Sequence, residues 1–226
     1  MFELDSDSKR LMYLDVAKFD VLYASKFATI KAAQAAANRL VTPAGVQWSE
    51  ISEDVQALVL AVAVAKQGKT AVDVLTNELD INSDAAQRHM VLNALGHIGS
   101  AELTRDVLPL LLSDQLRKNE VPTLLRALTR TRRPESARSA VWVWVKDNYD
   151  ALAERMIERR LGGLPLMFAD YCGAAFFTDM SRFFSERTQH LIGGERNLRK
   201  AQNHMMVCLG LRDRLGRAAN AHFPPL

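Results

Sequence analysis

The run Arg138-Ser-Ala-Val-Trp-Val-Trp-Val-Lys-Asp-Asn-Tyr-Asp-Ala-Leu152 contains the most apolar and most aromatic segment of the chain, Val141 to Val145. Alternating Val and Trp over so short a span suits a strand or a helix, and periodicity alone does not separate them. The flanks do. Apolar residues at 141, 142, 145, 149, 152 and 156 follow helical spacing, while Lys146, Asp147 and Asp150 fall on the other side. Pro134 followed by Glu135 suits a first helical turn, where proline's missing N–H is unpaired in any case. Asn148 or Asp150 offers a cap for a second helix running to about Arg160. The expectation is a helical hairpin or kinked helix, its Trp face packed on both sides, in the middle of an all-helical stack.

Working outward, helix signals recur in both directions. Upstream, Ser8 to about Leu40 has a helical pattern, and its Ala-rich Lys31–Ala37 favours helix on propensity. Thr42-Pro-Ala-Gly45 breaks it. Ser52 with Glu53 and Asp54 opens a helix to about Lys66, placing negative charge at the positive end of the dipole, and Gly68 stops it. Thr70 to Leu79 is a short partner. Asp84 with Gln87 suits a capping box opening Ala85 to Ile98, which Gly99 ends. Ser100 caps a helix through Leu112, Ser113-Asp114 restarts, and Val121-Pro122 introduces Thr123 to Thr131. Downstream of the Trp segment, Leu161-Gly-Gly163 turns, and Leu164 to about Tyr171 is short and apolar. Thr178-Asp179 caps Met180 to His190, and Gly193-Gly194 leads into a last helix from Glu195 to about Arg217. The tail from Ala221 to Leu226 contains two prolines and is expected to be irregular. No candidate strand has a second to pair with. A helix–turn–helix unit every ~30–40 residues suits stacked antiparallel helix pairs, a superhelical solenoid of HEAT or armadillo type. The expected fold is therefore all-α, one solenoid domain over residues 1–226.

Composition narrows the function. A charge of +3 is too small to name a nucleic acid or membrane partner. No stretch reaches ~18 apolar residues, so nothing is expected to span a bilayer. Met1-Phe-Glu-Leu-Asp is unlike a secretory signal, and the expected compartment is cytoplasmic. The 2 cysteines, Cys172 and Cys208, lie far apart without a C-x-x-C, so they are expected as two packed thiols.

Enzyme motifs are missing from the sequence. No two of the 5 histidines are four apart, there is no H-E-x-x-H, and no G-x-S-x-G or Walker loop occurs. The polar feature that invites a function is the series Arg126, Arg130, Arg132 and Arg133. Arg126 and Arg130 are four apart and share a helix face. For Arg130, Arg132 and Arg133 the bland reading is cations favoured by a helix C-terminus. Arg126, nearer the helix middle between Leu124, Leu125 and Leu128, could equally face a cavity and grip a carboxylate bidentately.

Taken in order, several segments resemble the C-terminal helical domain of zinc aminopeptidases of the aminopeptidase N and puromycin-sensitive type. Leu112-Ser113-Asp114-Gln-Leu-Arg117 matches the family's Leu-Ser-Asp-x-x-Arg element. Ala140-Val141-Trp142, then Asn148-Tyr149-Asp150-Ala-Leu152, follows its Ala-Trp and Asn-Trp-Asp-x-Leu elements, with Tyr149 replacing the usual Trp. Arg88-His-Met-Val-Leu92-Asn-Ala94-Leu95-Gly96 resembles its Arg-x-x-x-Leu-x-Ala-Leu-Gly helix, and Phe177-Thr178, Phe183-Phe184 and Gly194-Glu-Arg196 follow in order. The resemblance covers about residues 83–215; residues 1–82 show only a compatible helical pattern. Near the end Asn203, Cys208 and Leu211 depart from the family's Glu, Asn and Trp.

The resemblance implies a non-catalytic bowl of helices that closes over a zinc-bearing catalytic domain and receives the distal part of a peptide. It implies no cofactor in this chain, with the zinc held by the parent enzyme's catalytic domain. The implied partners are that domain and a peptide substrate. Arg126 and Arg130 fall on the helix that follows Leu-Ser-Asp-x-x-Arg, where a cation would suit a peptide carboxylate. The alternative is an independent HEAT-like module whose arginines bind a protein or nucleic acid, although acidic residues spread through the same segments argue against nucleic acid.

Overall fold

The computed structural model describes residues 27–130 and 133–222, with side chains for 30–130 and 133–215. The described residues form twelve α-helices and almost no sheet. The expected helix over residues 8–26, Arg132 and the tail beyond His222 lie outside them. The chain divides into two compact units. Among the described residues, one comprises 27–128 together with Arg133–Val141; the other comprises 129–130 and 142–222.

In the first unit, α1 (Phe27–Leu40) leads into a hairpin of two-residue strands, β1 (Val41–Thr42) and β2 (Gly45–Val46). No strand pair was expected here. The Thr42-Pro-Ala-Gly45 break closes on itself because Gly45 takes φ 121°. The Thr42 hydroxyl donates to the Gly45 carbonyl at 3.1 Å. Next come α2 (Glu53–Gln67), α3 (Lys69–Ile81), α4 (Ala85–Leu95), α5 (Ala101–Val107), a 3₁₀ segment over Leu108–Leu112 and α6 (Val121–Leu128). Gly68, at φ 58°, ends α2 and begins α3, a conformation that favours glycine. Asp84 caps α4 by accepting from the Ala86 and Gln87 N–H groups, but the capping box is half made. Gln87 turns away to accept from the Asn82 amide at 2.7 Å. α4 stops at Gly96 rather than Gly99. The Ser100 hydroxyl caps α5, accepting from the Leu103 N–H at 3.1 Å. The expected helix after Ser113-Asp114 does not form; residues 113–120 are turns.

Packing runs α1 against α2, α2 against α4, and α4 against α6. Their shared core includes Leu60, Ala63, Val91, Leu92, Leu95, Leu124 and Leu125, all fully buried. Close approach of α4 to α6 requires glycine at one point. A Cβ on Gly96 would stand 2.6 Å from the Ala127 carbonyl oxygen.

α7 (Glu135–Asp147) spans the Trp segment, and the residues expected inward are inward: Val141, Trp142, Val145, Tyr149, Leu152 and Met156 are all buried. Pro134 stands one place ahead of the first turn and accepts from the Arg138 N–H at 3.1 Å. The helix is broken, with α8 (Tyr149–Arg155) following Asn148. Asn148 serves the end of α7, donating to the Trp144 carbonyl at 2.9 Å, and does not cap α8 with its side chain.

In the second unit, α9 (Glu158–Leu161), α10 (Leu164–Met167), α11 (Ala174–Arg187) and α12 (Gly194–His222) follow. The Trp142 ring sits 5.0 Å from Phe168, 5.1 Å from Phe176 and 5.3 Å from Phe183, all edge-on. Such pairs add ~0.5–1.5 kcal/mol each beyond area burial. Thr178-Asp179 lies inside α11 and starts nothing. Asp179 is instead an acceptor for the Trp142 indole N–H and the Lys146 ammonium, both at 2.7 Å. Burial pushes the Asp179 carboxyl up, but its bonds from Lys146 and Trp142 outweigh this and hold it below the usual range. α12 continues past Arg217 to His222, so Ala221 and His222 are helical rather than irregular.

Cys172 and Cys208, expected as separate thiols, form a disulfide with Cα atoms 5.8 Å apart. They lie 36 residues apart in sequence, so no local spacing marks them as partners.

Candidate functional site

The arginine series separates by burial. In α6, Val121, Leu124, Leu125 and Leu128 turn into the first unit's core with no exposed surface. A side chain at 126 then emerges on the opposite flank, and Arg126 is exposed. Arg130, beyond the helix end, is exposed as well. Arg133 is not. Only 6% exposed, it donates to the Ile98 carbonyl at 3.0 Å, to the Leu128 carbonyl and to the Thr104 hydroxyl. Leu128 is the last residue of α6, so Arg133 does serve that C-terminus, but from inside the unit.

A second buried arginine explains the two upstream family motifs. Arg88 of α4 is 4% exposed and lies against the turn formed by Leu112-Ser-Asp-x-x-Arg117. Its Nε and Nη2 donate to the two oxygens of Glu120, both at 2.7 Å. Nη2 also donates to the Gln115 carbonyl at 2.8 Å, and Nη1 to the carbonyls of Leu79 and Asn82. All five guanidinium N–H groups are thereby used. Glu120 further accepts from the Arg117 backbone N–H at 2.9 Å, while the Arg117 side chain donates to the Ser83 carbonyl at 3.0 Å. Burial pushes the Glu120 carboxyl up. The hydrogen bonds from Arg88 and the Arg117 backbone, with both guanidinium charges, outweigh it and hold the carboxyl below its ordinary value. The Glu120 bond likewise raises Arg88. This pair welds the 113–120 turn to α4; with every donor engaged, it holds structure rather than ligand. Sequence reading missed Glu120 because it lies 32 residues from Arg88.

Among the described residues, clefts open on the first unit. One, about 500 Å³, lies over the Arg88 turn between Asp80, Asn82, Asp114, Gln115 and Arg117. Another, about 560 Å³, is walled by Trp48, Ile51, Glu53, Gln56, Asp84 and Met90. Arg126 lines neither. Among the described residues, no group of three or more His, Cys, Asp or Glu side chains is placed to hold a metal ion. None of their helices is long and apolar enough to cross a membrane.

The model of the ERAP1-like C-terminal domain family matches residues 4–205. The chain belongs to that family. No curated protein matches it. The ERAP1-like match takes in residues 4–82, which the motifs had left as helical pattern only, and it fits the C-terminal domain of aminopeptidase N-type enzymes. An ERAP1-like domain is a non-catalytic part of an aminopeptidase, and its partner is a catalytic domain.

Proposed function

We propose that this chain walls the substrate chamber of a zinc aminopeptidase. Its stacked helix pairs close over a zinc-bearing catalytic domain and meet the distal part of a peptide. The observation that carries the reading is the family match across residues 4–205. Zinc and the acid/base groups belong to the catalytic domain; this chain contributes shape and charge. Arg126, with Arg130 beyond it, supplies cations for the C-terminal carboxylate or acidic side chains of the peptide. In support, Arg126 and Arg130 are exposed at the surface, whereas Arg88 and Arg133 are buried. A surface guanidinium can take a carboxylate through two parallel hydrogen bonds.

The test belongs in the parent enzyme. Arg126→Ala is expected to lower kcat/KM for longer or acidic-tailed peptides by about tenfold, the scale of one charge-assisted contact. Hydrolysis of a single-residue chromogenic substrate should stay unchanged. Equal losses on both substrates would remove Arg126 from any substrate role. The family match and the small net charge weigh against an independent nucleic-acid-binding module, which would show steeply salt-dependent affinity.

A further inference from the structure

α12 is unevenly anchored. Leu198, Ala201 and Met205 are buried, and among the described side chains Met205 is the last that is. From Met206 to Leu215 every side chain is exposed or half-exposed. A helical segment that buries no face gains little from packing and opens readily. What fastens this one is a single file of residues at i, i+4 and i+8, all against the turn at 170–172. His204 Nε2 lies 2.8 Å from the Asp170 carboxylate. Cys208 is bonded to Cys172. Arg212 donates to the Cys172 carbonyl at 2.8 Å. Both partners of the His204–Asp170 pair are more than half exposed, and exposed pairs hold little. The Arg212 bond is exposed too. The covalent bond is the main fastener.

We infer that Cys172–Cys208 is a reducible lock, a thiol–disulfide exchange site where a dithiol reductant releases the distal half of α12. Both cysteines are half-exposed rather than sealed in a core, so a small thiol can reach them. A reductant thiolate attacks one cysteine sulfur, the S–S bond breaks, and the other cysteine leaves as a thiolate that takes up a proton. The reductant's second thiol then displaces the first cysteine. The chain gains two thiols, the reductant becomes a disulfide, and two electrons pass. Leu198, Ala201 and Met205 keep the first half of α12 docked, while the segment from Met206 loses its tether. Val207, Leu211 and Leu215, exposed at four-residue spacing, share a face of that segment. The redox state therefore sets how this apolar stripe is presented.

Hydrogen exchange on the full chain tests the lock, with and without millimolar dithiothreitol and with free thiols counted by alkylation. Two thiols should appear only after reduction. Amides of 206–215 should then exchange about tenfold faster or more, while those of α2 to α6 stay unchanged. Cys172→Ser combined with Cys208→Ser should show the same fast exchange without reductant; the wild-type comparison stands if that variant fails to fold. Free thiols before reduction, or a bond that resists the dithiol under native conditions, would overturn the inference. So would unchanged exchange over 206–215 after reduction, or a loss of protection spread over the whole chain.

Discussion

Replacing Glu120 by glutamine strikes the point where two parts of the chain distant in sequence are joined. The carboxylate accepts three hydrogen bonds, from Arg88 Nε, Arg88 Nη2 and the Arg117 backbone N–H. Glutamine offers one oxygen and one NH₂ group, so in either orientation a donor faces a donor. The Arg88 charge, 4% exposed, stays behind without an anion. Removing one partner of a buried ion pair costs about 3–5 kcal/mol, and because glutamine preserves the shape, the expected loss is about 3 kcal/mol. At about 1.4 kcal/mol per factor of ten, the amides of α4 and α6 that open with the first unit should exchange on the order of a hundredfold faster at neutral pH. Exchange is preferable to a single melting curve, because a chain of two units need not unfold in one step. The carboxyl is held below its unfolded value, so its contribution is complete above about pH 4.3 and is lost as pH falls through the folded value. The gap between wild type and Glu120→Gln should therefore narrow below about pH 4. A change of less than fivefold at neutral pH, or a gap that stays constant into acid, would refute this account of the pair.

Two further substitutions test packing and hydrogen bonding separately. Gly96→Ala should destabilise the first unit by about 1–3 kcal/mol in denaturant unfolding. The added Cβ would meet the Ala127 carbonyl oxygen at 2.6 Å, whereas Gly99→Ala, with no described atom within 4 Å, should be nearly silent. Tyr149→Phe should leave thermal stability unchanged within about 1 kcal/mol or raise it. The Tyr149 hydroxyl is buried with no hydrogen-bond partner among the described residues, while its ring packs edge-on to Phe183 at 5.5 Å.

Much of the fold was legible because helices advertise themselves locally. The spacing 141, 142, 145, 149, 152, 156 marks one face of a rod, and all six residues are buried. Gly68 ending α2 and Ser100 capping α5 follow from backbone geometry within a few residues. The misses share the opposite character. Asp179 has the residue type of a cap, yet a partner 37 residues away, the Trp142 indole, claims it from within α11. Ser113-Asp114 has a helix-start pattern, yet Arg88 holds the following residues in turns. For the candidate site, sequence read Arg130, Arg132 and Arg133 as cations at a helix C-terminus and left Arg126 open between that reading and a carboxylate contact. Arg133 does serve the end of α6, but from a buried position, whereas Arg126 and Arg130 are exposed.

What the chain alone decided is one-dimensional: where helices start and stop, which stripe of each is apolar, and which family its ordered motifs resemble. These depend on interactions across three or four residues, which a linear pattern records. The tertiary structure alone decided which polar groups spend their hydrogen bonds inside. Arg88 with Glu120, Arg133 with Ile98 and Thr104, and Cys172 with Cys208 are pairings across 29 to 36 residues. Only packing brings such groups within reach, because a buried charge or a disulfide needs its partner in place within a few ångströms and is indifferent to how much chain lies between.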